Sequence, residues 1–224
     1  MARERIRAES FAQILDFVHD LYGHDNAEVL ATRLISSLSR IVPGDVHSYN
    51  EVNAAQHHVV YKITPADFVQ VPNATEILNQ YLDQHLFVQH VAATGDGSPH
   101  TFGDFVSLRQ FKKTDLYQEF YGPMRLPFNL FMNVHDNGLS GATTTLGMHR
   151  GGREFSERDR SILTILRPHI RQALANARLI THLQGQCSSL RHALSDARMS
   201  ALTLTAQHTI LWSMPQAETL LKHV

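Results

Sequence analysis

Apolar positions recur at helical spacing near the start of the chain. Phe11, Ile14, Leu15, Val18, Leu21 and Tyr22 lie three and four residues apart, the interval that gathers side chains on one face of an α-helix. Gly23 stops the pattern. Asp25 and Glu28 then have capping-box spacing, in which each residue satisfies an exposed amide at a helix start. Val29, Leu30, Leu34, Leu38 and Ile41 give the buried stripe of that second helix, and Pro43-Gly44 end it.

The period then changes. Residues 45–53 and 57–63 are short runs rich in Val and Tyr around the polar stretch Asn53-Ala54-Ala55-Gln56, which predicts a hairpin. Residues 73–90 predict one helix with Ile77, Leu78, Tyr81 and Leu82 on one face. A loop with Gly95, Gly97 and Pro99 follows. Residues 102–121 mix aromatic and polar positions too irregularly for a strand and predict short helical turns. Two further strands, about 125–135 and 139–150, flank Asp136-Asn137-Gly138, a strong hairpin signal because Asn and Gly tolerate positive φ.

Ser156 and Asp159 form another capping pair, with Phe155 before them. The helix they open is predicted to reach about residue 181, or to go further with a break near Gly185. Leu163, Leu166, Ile170, Ala173, Ala177 and Ile180 form an uninterrupted seam at coiled-coil spacing, and we assign the interface of a homodimer to it. A second stripe, Ile162, Ile165 and Leu174, allows packing on a sheet and a partner together. Pro168 removes an interior hydrogen bond and should kink the helix. After Ser200, residues 202–205 and 209–213 read as a small hairpin and 215–222 as a short helix. The element order predicts an α+β fold: an antiparallel sheet with helices packed on it, an irregular lid, and a long C-terminal helix.

Bulk properties narrow the class. The 224 residues are 43% hydrophobic and 18% charged, an ordinary globular composition. No apolar run approaches the roughly 18 residues that cross a bilayer, and residues 1–7 are basic without the apolar stretch of a signal peptide. The expected setting is the cytoplasm, away from membranes. Cys187 is the only cysteine, which excludes an internal disulfide and any zinc site built on several cysteines. Twenty basic against 21 acidic residues give no global attraction for nucleic acid. From Arg150 to Arg198, however, nine arginines stand against four acids. That helix either faces the more acidic body or is simply solvated.

Several blocks resemble a known family. Residues 45–52, Asp-Val-His-Ser-Tyr-Asn-Glu-Val, look like the first strand of the GAF-like sensory domains of LuxR-type bacterial transcription regulators. Similar too are Gly95-Asp96-Gly97-Ser98, Asp104-Phe105, Gln110-Phe111, Thr114, Leu116-Tyr117 and Glu119-Phe120-Tyr121. The same holds for the run from Phe155 to Arg160, for Leu166-Arg167-Pro168-His169-Ile170 and for Asn176-Ala177. The resemblance covers about residues 11–178 and rests on the order and spacing of these blocks. It implies a GAF/PAS-like sensory domain over 1–182, a helical connector over 183–200 and the start of a PAS-like unit over 201–224. It also implies a helix-turn-helix DNA-binding domain beyond Val224, so that DNA is engaged only through a part not present in this chain.

The 15 histidines include His57 and His58, adjacent on a predicted strand and therefore facing opposite ways. His19 and Asp16 share a helix face but make only two ligands. No metal site and no cofactor are expected. Gly138-Leu139-Ser140-Gly141-Ala142 resembles a degraded nucleophile elbow but follows a hairpin signal instead of making a strand-to-helix turn. Gly95-x-Gly97 lacks the lysine of a phosphate loop. No paired carboxylates stand out, and we expect no catalytic residues. The aromatic lid, with Phe102, Phe105, Phe111, Tyr117, Phe120 and Tyr121, is the candidate site: Phe105, Phe111, Tyr117 and Phe120, with Phe131 of the sheet, would line an apolar pocket, and Tyr49, Tyr61 and Asn129 would orient a small ligand. The competing reading is that these rings fill the core, leaving a dimerisation or docking module without a ligand.

Overall fold

The computed structural model describes residues 8–23, 27–68, 71–137, 142–197, 199–214 and 217. It divides into two units, residues 1–177 and 178–224. The first unit is built on a five-stranded antiparallel sheet in the order β2-β1-β5-β4-β3. Its strands are β1 (Val46–Asn53), β2 (His58–Thr64), β3 (His100–Thr101), β4 (Phe128–Asn137) and β5 (Ala142–Arg150). Successive side chains of a strand point to opposite faces, and this sheet uses both. Tyr49, Leu130, Met132, Val134, Leu146 and Met148 face a core shared with α1 (Ala8–Leu21), α2 (Ala27–Ile41) and α6 (Glu157–Asp196). Val46, Val52, Val59 and Phe131 face a second core under the lid. This is the α+β, GAF-like arrangement that the sequence implies.

The helix-side core follows the expected stripes only in part. In α1, Ile14, Phe17 and Leu21 are buried, whereas Phe11, Leu15 and Tyr22 are exposed. In α2, Leu30, Leu34, Leu38 and Ile41 are buried, as their spacing predicts, and Val29 is exposed. The capping position Asp25 and the turn residue Gly138 lie outside the described residues.

The lid departs from the single helix expected over 73–90. The chain forms α3 (Ala74–Gln80), a one-turn 3-10 segment Leu82–Gln84, and a separate α4 (Leu86–Thr94). The division falls at His85, whose backbone is extended and whose imidazole accepts from the Val88 amide, capping α4. Phe102–Asp104, α5 (Leu108–Phe111) and a π-turn Tyr117–Tyr121 complete the lid. Two capping boxes, Thr101 with Asp104 and Ser107 with Gln110, start these short pieces.

The Ser156–Asp159 pair caps α6 as predicted, each side chain accepting the other's amide at 3.3 and 2.9 Å. Asp159 also pairs with the buried Arg150 guanidinium at 3.3 Å, which donates at 2.6 Å to the Pro43 carbonyl. The helix origin is thereby fixed to the end of β5. The helix continues through Pro168 and through Gly185 to Asp196, so no break falls near Gly185.

The expected dimer seam requires a correction. Leu163, Leu166 and Ile170 are 0% exposed, Ala173 and Ala177 are buried, and all five belong to the core against the sheet. Ile180 alone is partly exposed. A seam at heptad spacing satisfies a sheet as well as a partner helix, because both present a flat apolar surface. Of the second stripe, Ile162 and Leu174 join the same core, and Ile165 is exposed.

The second unit contains the end of α6 and the hairpin of β6 (Leu202–Leu204) and β7 (Ile210–Ser213). Within it Arg191 lies over the Trp212 ring at 4.6 Å. The predicted helix over 215–222 falls outside the described residues except for Ala217. Among the described residues no helix is long and apolar enough to cross a membrane.

Candidate functional site

Beneath the lid lies a cavity of about 60 Å³. Alternation along β1 sends Val46, Ser48, Asn50 and Val52 into it; β2 adds Val59, Tyr61 and Ile63, and β5 adds Thr145 and His149. Leu82, His85, Val88, Phe120, Tyr121 and Met124 close it from the lid side. The walls are mainly apolar.

The polar groups of its floor form one chain of hydrogen bonds. Asn129 Nδ2 donates to the Leu126 carbonyl at 3.3 Å, so its Oδ1 is the acceptor that meets His149 Nδ1 at 2.6 Å. His149 Nδ1 therefore carries the proton, leaving Nε2 as acceptor. Ser48 Oγ lies 3.2 Å from that Nε2 and donates to it, while Asn50 Nδ2 donates to Ser48 Oγ at 2.9 Å and to the Thr145 carbonyl at 3.0 Å. Burial pushes the His149 pKa down to about 3, so the imidazole is neutral and the chain stays in this polarity.

The order hydroxyl, imidazole, amide has the connectivity of nucleophile, base and orienting group. It lacks the charge to run acyl transfer. Asn129 cannot stabilise an imidazolium as a carboxylate would, and His149 does not take up a proton near neutrality. Ser48 also sits inside a strand and not at a strand-to-helix turn. A neutral imidazole backed by an amide suits these groups to shaping and orienting.

A second buried pair stands opposite. His85 Nδ1 accepts from Val88 N at 3.4 Å, so Nε2 carries the proton and donates to Tyr121 Oη at 3.3 Å. Burial holds His85 at about 4 and raises the Tyr121 pKa well above its usual range. The Tyr121 hydroxyl therefore keeps its hydrogen and can donate it to a molecule in the cavity.

Gly147 makes the floor possible. A Cβ there would lie 2.5 Å from Ser48 Oγ, 2.8 Å from His149 Nε2 and 3.0 Å from a Phe131 ring carbon. Gly147→Ala is therefore expected to break the Ser48–His149 hydrogen bond and to cost about 1–3 kcal/mol by overpacking. A lowered urea midpoint with an unchanged m-value would show it; an unchanged midpoint would contradict the packing described.

The residues proposed from sequence divide among several places. Tyr61, Phe120 and Phe131 line the cavity. Asn129 lies behind its floor, holding His149. Phe111 is buried within the lid, its ring 4.5 Å from Phe102 and 5.1 Å from Tyr117. Tyr117 stays with that lid cluster. Phe105 packs on His90 and His100. Tyr49 requires a correction as a ligand residue: at an odd position of β1 it points to the opposite face, into the helix-side core. Sequence reasoning missed Ser48, His85 and His149, and it placed Tyr121 in the aromatic lid without assigning it to the ligand. Ser48 was within reach, since the alternation Val46, Ser48, Asn50, Val52 sets it on one face with two valines.

The sheet order, the double-sided core and the lidded cavity give a basis for comparison with known structures. The VqsR LBD domain from Pseudomonas aeruginosa superposes with a TM-score of 0.56 at 17% identity, over 77% of this chain and 96% of that one. The chain shares its fold. CepR2 from Burkholderia cenocepacia, an N-acylhomoserine lactone dependent LuxR family transcription factor, gives a TM-score of 0.46 at 13% identity over 76% and 93% of the two chains. The GAF domain of a phosphoenolpyruvate-protein phosphotransferase from Coxiella burnetii gives 0.48 at 11% identity over 76% and 95%. No protein-family model and no curated protein matches the chain.

Proposed function

We propose that the first unit senses a small molecule in the cavity and regulates a LuxR-type transcription factor in the bacterial cytoplasm. DNA would be bound by another part of that polypeptide. The observation that carries this reading is the mainly apolar, half-open cavity whose polar groups are already ordered, the usual form of a small-molecule site. The fold shared with the VqsR LBD domain supports it.

The cavity also indicates the chemistry of its ligand. At about 60 Å³ it admits a compact group directly, and a larger molecule only if Phe120 and Met124 on the lid give way. The Tyr121 hydroxyl is a donor available to it, so a fitting ligand is an apolar molecule with a hydrogen-bond acceptor, such as a carbonyl. Lid displacement is then the signal, because a ligand shifts an equilibrium only when it binds the two arrangements differently.

Thermal melting against a panel of short apolar esters, lactones and amides tests this reading. A saturable rise in Tm with one class is expected, and Tyr121→Phe should weaken that binding about 3–10-fold, the worth of one neutral hydrogen bond. No shift across the panel would favour the alternative of a docking module with a filled core.

We assign homodimerisation to the second half of α6. Every residue from Leu179 to Asp196 except Ile180 and Leu194 is exposed, and a helix without an apolar contact face is not stable on its own. Leu179, Leu183 and Leu190 are 57%, 49% and 64% exposed and fall with Gln186 on one seam of alternating four- and three-residue steps. A second copy of the same helix supplies the missing face.

A further inference from the structure

The lid holds a cluster that the cavity does not use. Gly95, at φ 71°, ends α4 and turns the chain back, so that Asp96 and then His100 on β3 approach His90 in the last turns of α4. His100 Nε2 lies 3.1 Å and His90 Nε2 3.6 Å from Asp96 Oδ2. The three ligand atoms lie within 4.8 Å of one another. Zinc bound at 2.0–2.1 Å by nitrogen and oxygen sets its donors about 3.4 Å apart in a tetrahedron. Two of the three edges are already near that length, and small rotations of the two imidazoles close the third.

The surroundings give a second, independent indication. His100 Nδ1 is buried and has no hydrogen-bond partner, and the Asp104 carboxylate stands 3.6 Å from it. Nδ1 thus faces that carboxylate without a hydrogen bond, while Nε2 lies 3.1 Å from both Asp96 Oδ2 and Ser98 Oγ. A cation on Nε2 moves the imidazole proton to Nδ1 and aims it at Asp104. The result is the carboxylate–histidine–metal arrangement that orients ligands in metal sites. Asp104 is itself held by Arg160 of α6 through two hydrogen bonds of 2.6 and 3.0 Å.

We propose that His90, Asp96 and His100 bind one divalent zinc-type cation, with water completing its coordination. Asp104 positions His100 from behind, and through Arg160 the site is tied to the helix that carries the output. The spacing His90-x5-Asp96-x3-His100 hides this site from motif reading, because its ligands come from a helix, a loop and a strand. The expectation of scattered histidines without a metal-binding set does not describe this corner.

Titration of the untagged Cys187→Ser chain with cobalt(II), followed by zinc(II), tests the proposal. One equivalent of cobalt should give the visible absorption of a four- or five-coordinate ion, displaced by one equivalent of zinc. His90→Gln, Asp96→Asn and His100→Gln should each weaken binding at least 10-fold. Asp104→Asn should weaken it roughly 10–100-fold although it is not a ligand. His57→Ala/His58→Ala should leave binding unchanged. A cobalt spectrum that stays that of the hydrated ion overturns the proposal and leaves a hydrogen-bonded cluster that orders the lid. Undiminished one-to-one binding in His90→Gln/His100→Gln overturns it as well. If a variant fails to fold, the spectrum of the unaltered site still decides.

Discussion

Leu166→Glu is expected to unfold the protein, whereas Leu183→Glu/Leu190→Glu should leave it folded and change only its association. Both substitutions put carboxylates on α6. Leu166 is 0% exposed within the core against the sheet. Losing its burial costs roughly 2–3 kcal/mol, and a carboxylate forced into that core adds several more. The sum rivals the roughly 5–15 kcal/mol that holds a typical domain together. Leu183 and Leu190 are exposed, so charge there meets water in a single chain and repulsion in a pair. Circular dichroism and sedimentation, run together, separate the two effects. A folded Leu166→Glu protein would contradict the placement of this helix on the sheet. A Leu183→Glu/Leu190→Glu protein that still sediments as a dimer would remove the assigned interface.

Acid should destabilise the fold well before its carboxylates titrate. His149 and His85 are buried neutral, with pKa values lowered by burial to about 3 and about 4, against about 6.5 in the unfolded chain. His47, also buried, is lowered in the same direction and for the same first reason. Folding therefore favours the neutral imidazoles. Their contribution is complete above pH 6.5 and is lost as the pH falls toward the folded-state values, because the unfolded chain takes up protons that the folded chain refuses. Two such groups remove roughly 3 kcal/mol per pH unit once the unfolded histidines are protonated, or on the order of 6 kcal/mol by pH 4. Urea midpoints measured between pH 7 and 4 should fall steeply, and His149→Gln should reduce the proton uptake on unfolding by about one. A flat profile above pH 4.5 would show that these imidazoles are not buried as neutral groups. Asp96 titrates in a different window. Hydrogen bonds, first that from the Ser98 amide, hold its carboxyl below the usual range, so its contribution is lost only at lower pH.

The two readings meet at the lid. A molecule in the cavity would move the lid from inside, through Phe120, Tyr121 and Met124. A cation at His90, Asp96 and His100 would fix it from outside and act on α6 through Asp104 and Arg160. The two sites share α4, since Val88 lines the cavity two residues before His90. Occupancy of one is thus able to change the affinity of the other, and by linkage the reverse holds to the same extent.

Local pattern determined much of this protein by itself. The stripe of α2, the Ser156–Asp159 cap and the two antiparallel strand pairs follow from period and turn chemistry, which act over a few residues. The α+β class follows from their order. The single helix expected over 73–90 failed because His85, unremarkable in sequence, caps a new helix with its imidazole and packs edge-on against Phe102 and Phe131. Which partner a helix face meets is likewise invisible to periodicity: the seam from Leu163 to Ala177 fits a second helix and a sheet equally well, and only the assembled sheet decided it. Tyr49 shows the same limit at the scale of one residue, since alternation gives two faces but does not say which one holds the cavity. The Ser48–His149–Asn129 chain and the His90–Asp96–His100 cluster belong wholly to the tertiary structure. Their members come from different elements, and hydrogen bonding and metal binding depend on distances that the chain sets only after β1, β4 and β5 have paired and the lid has closed.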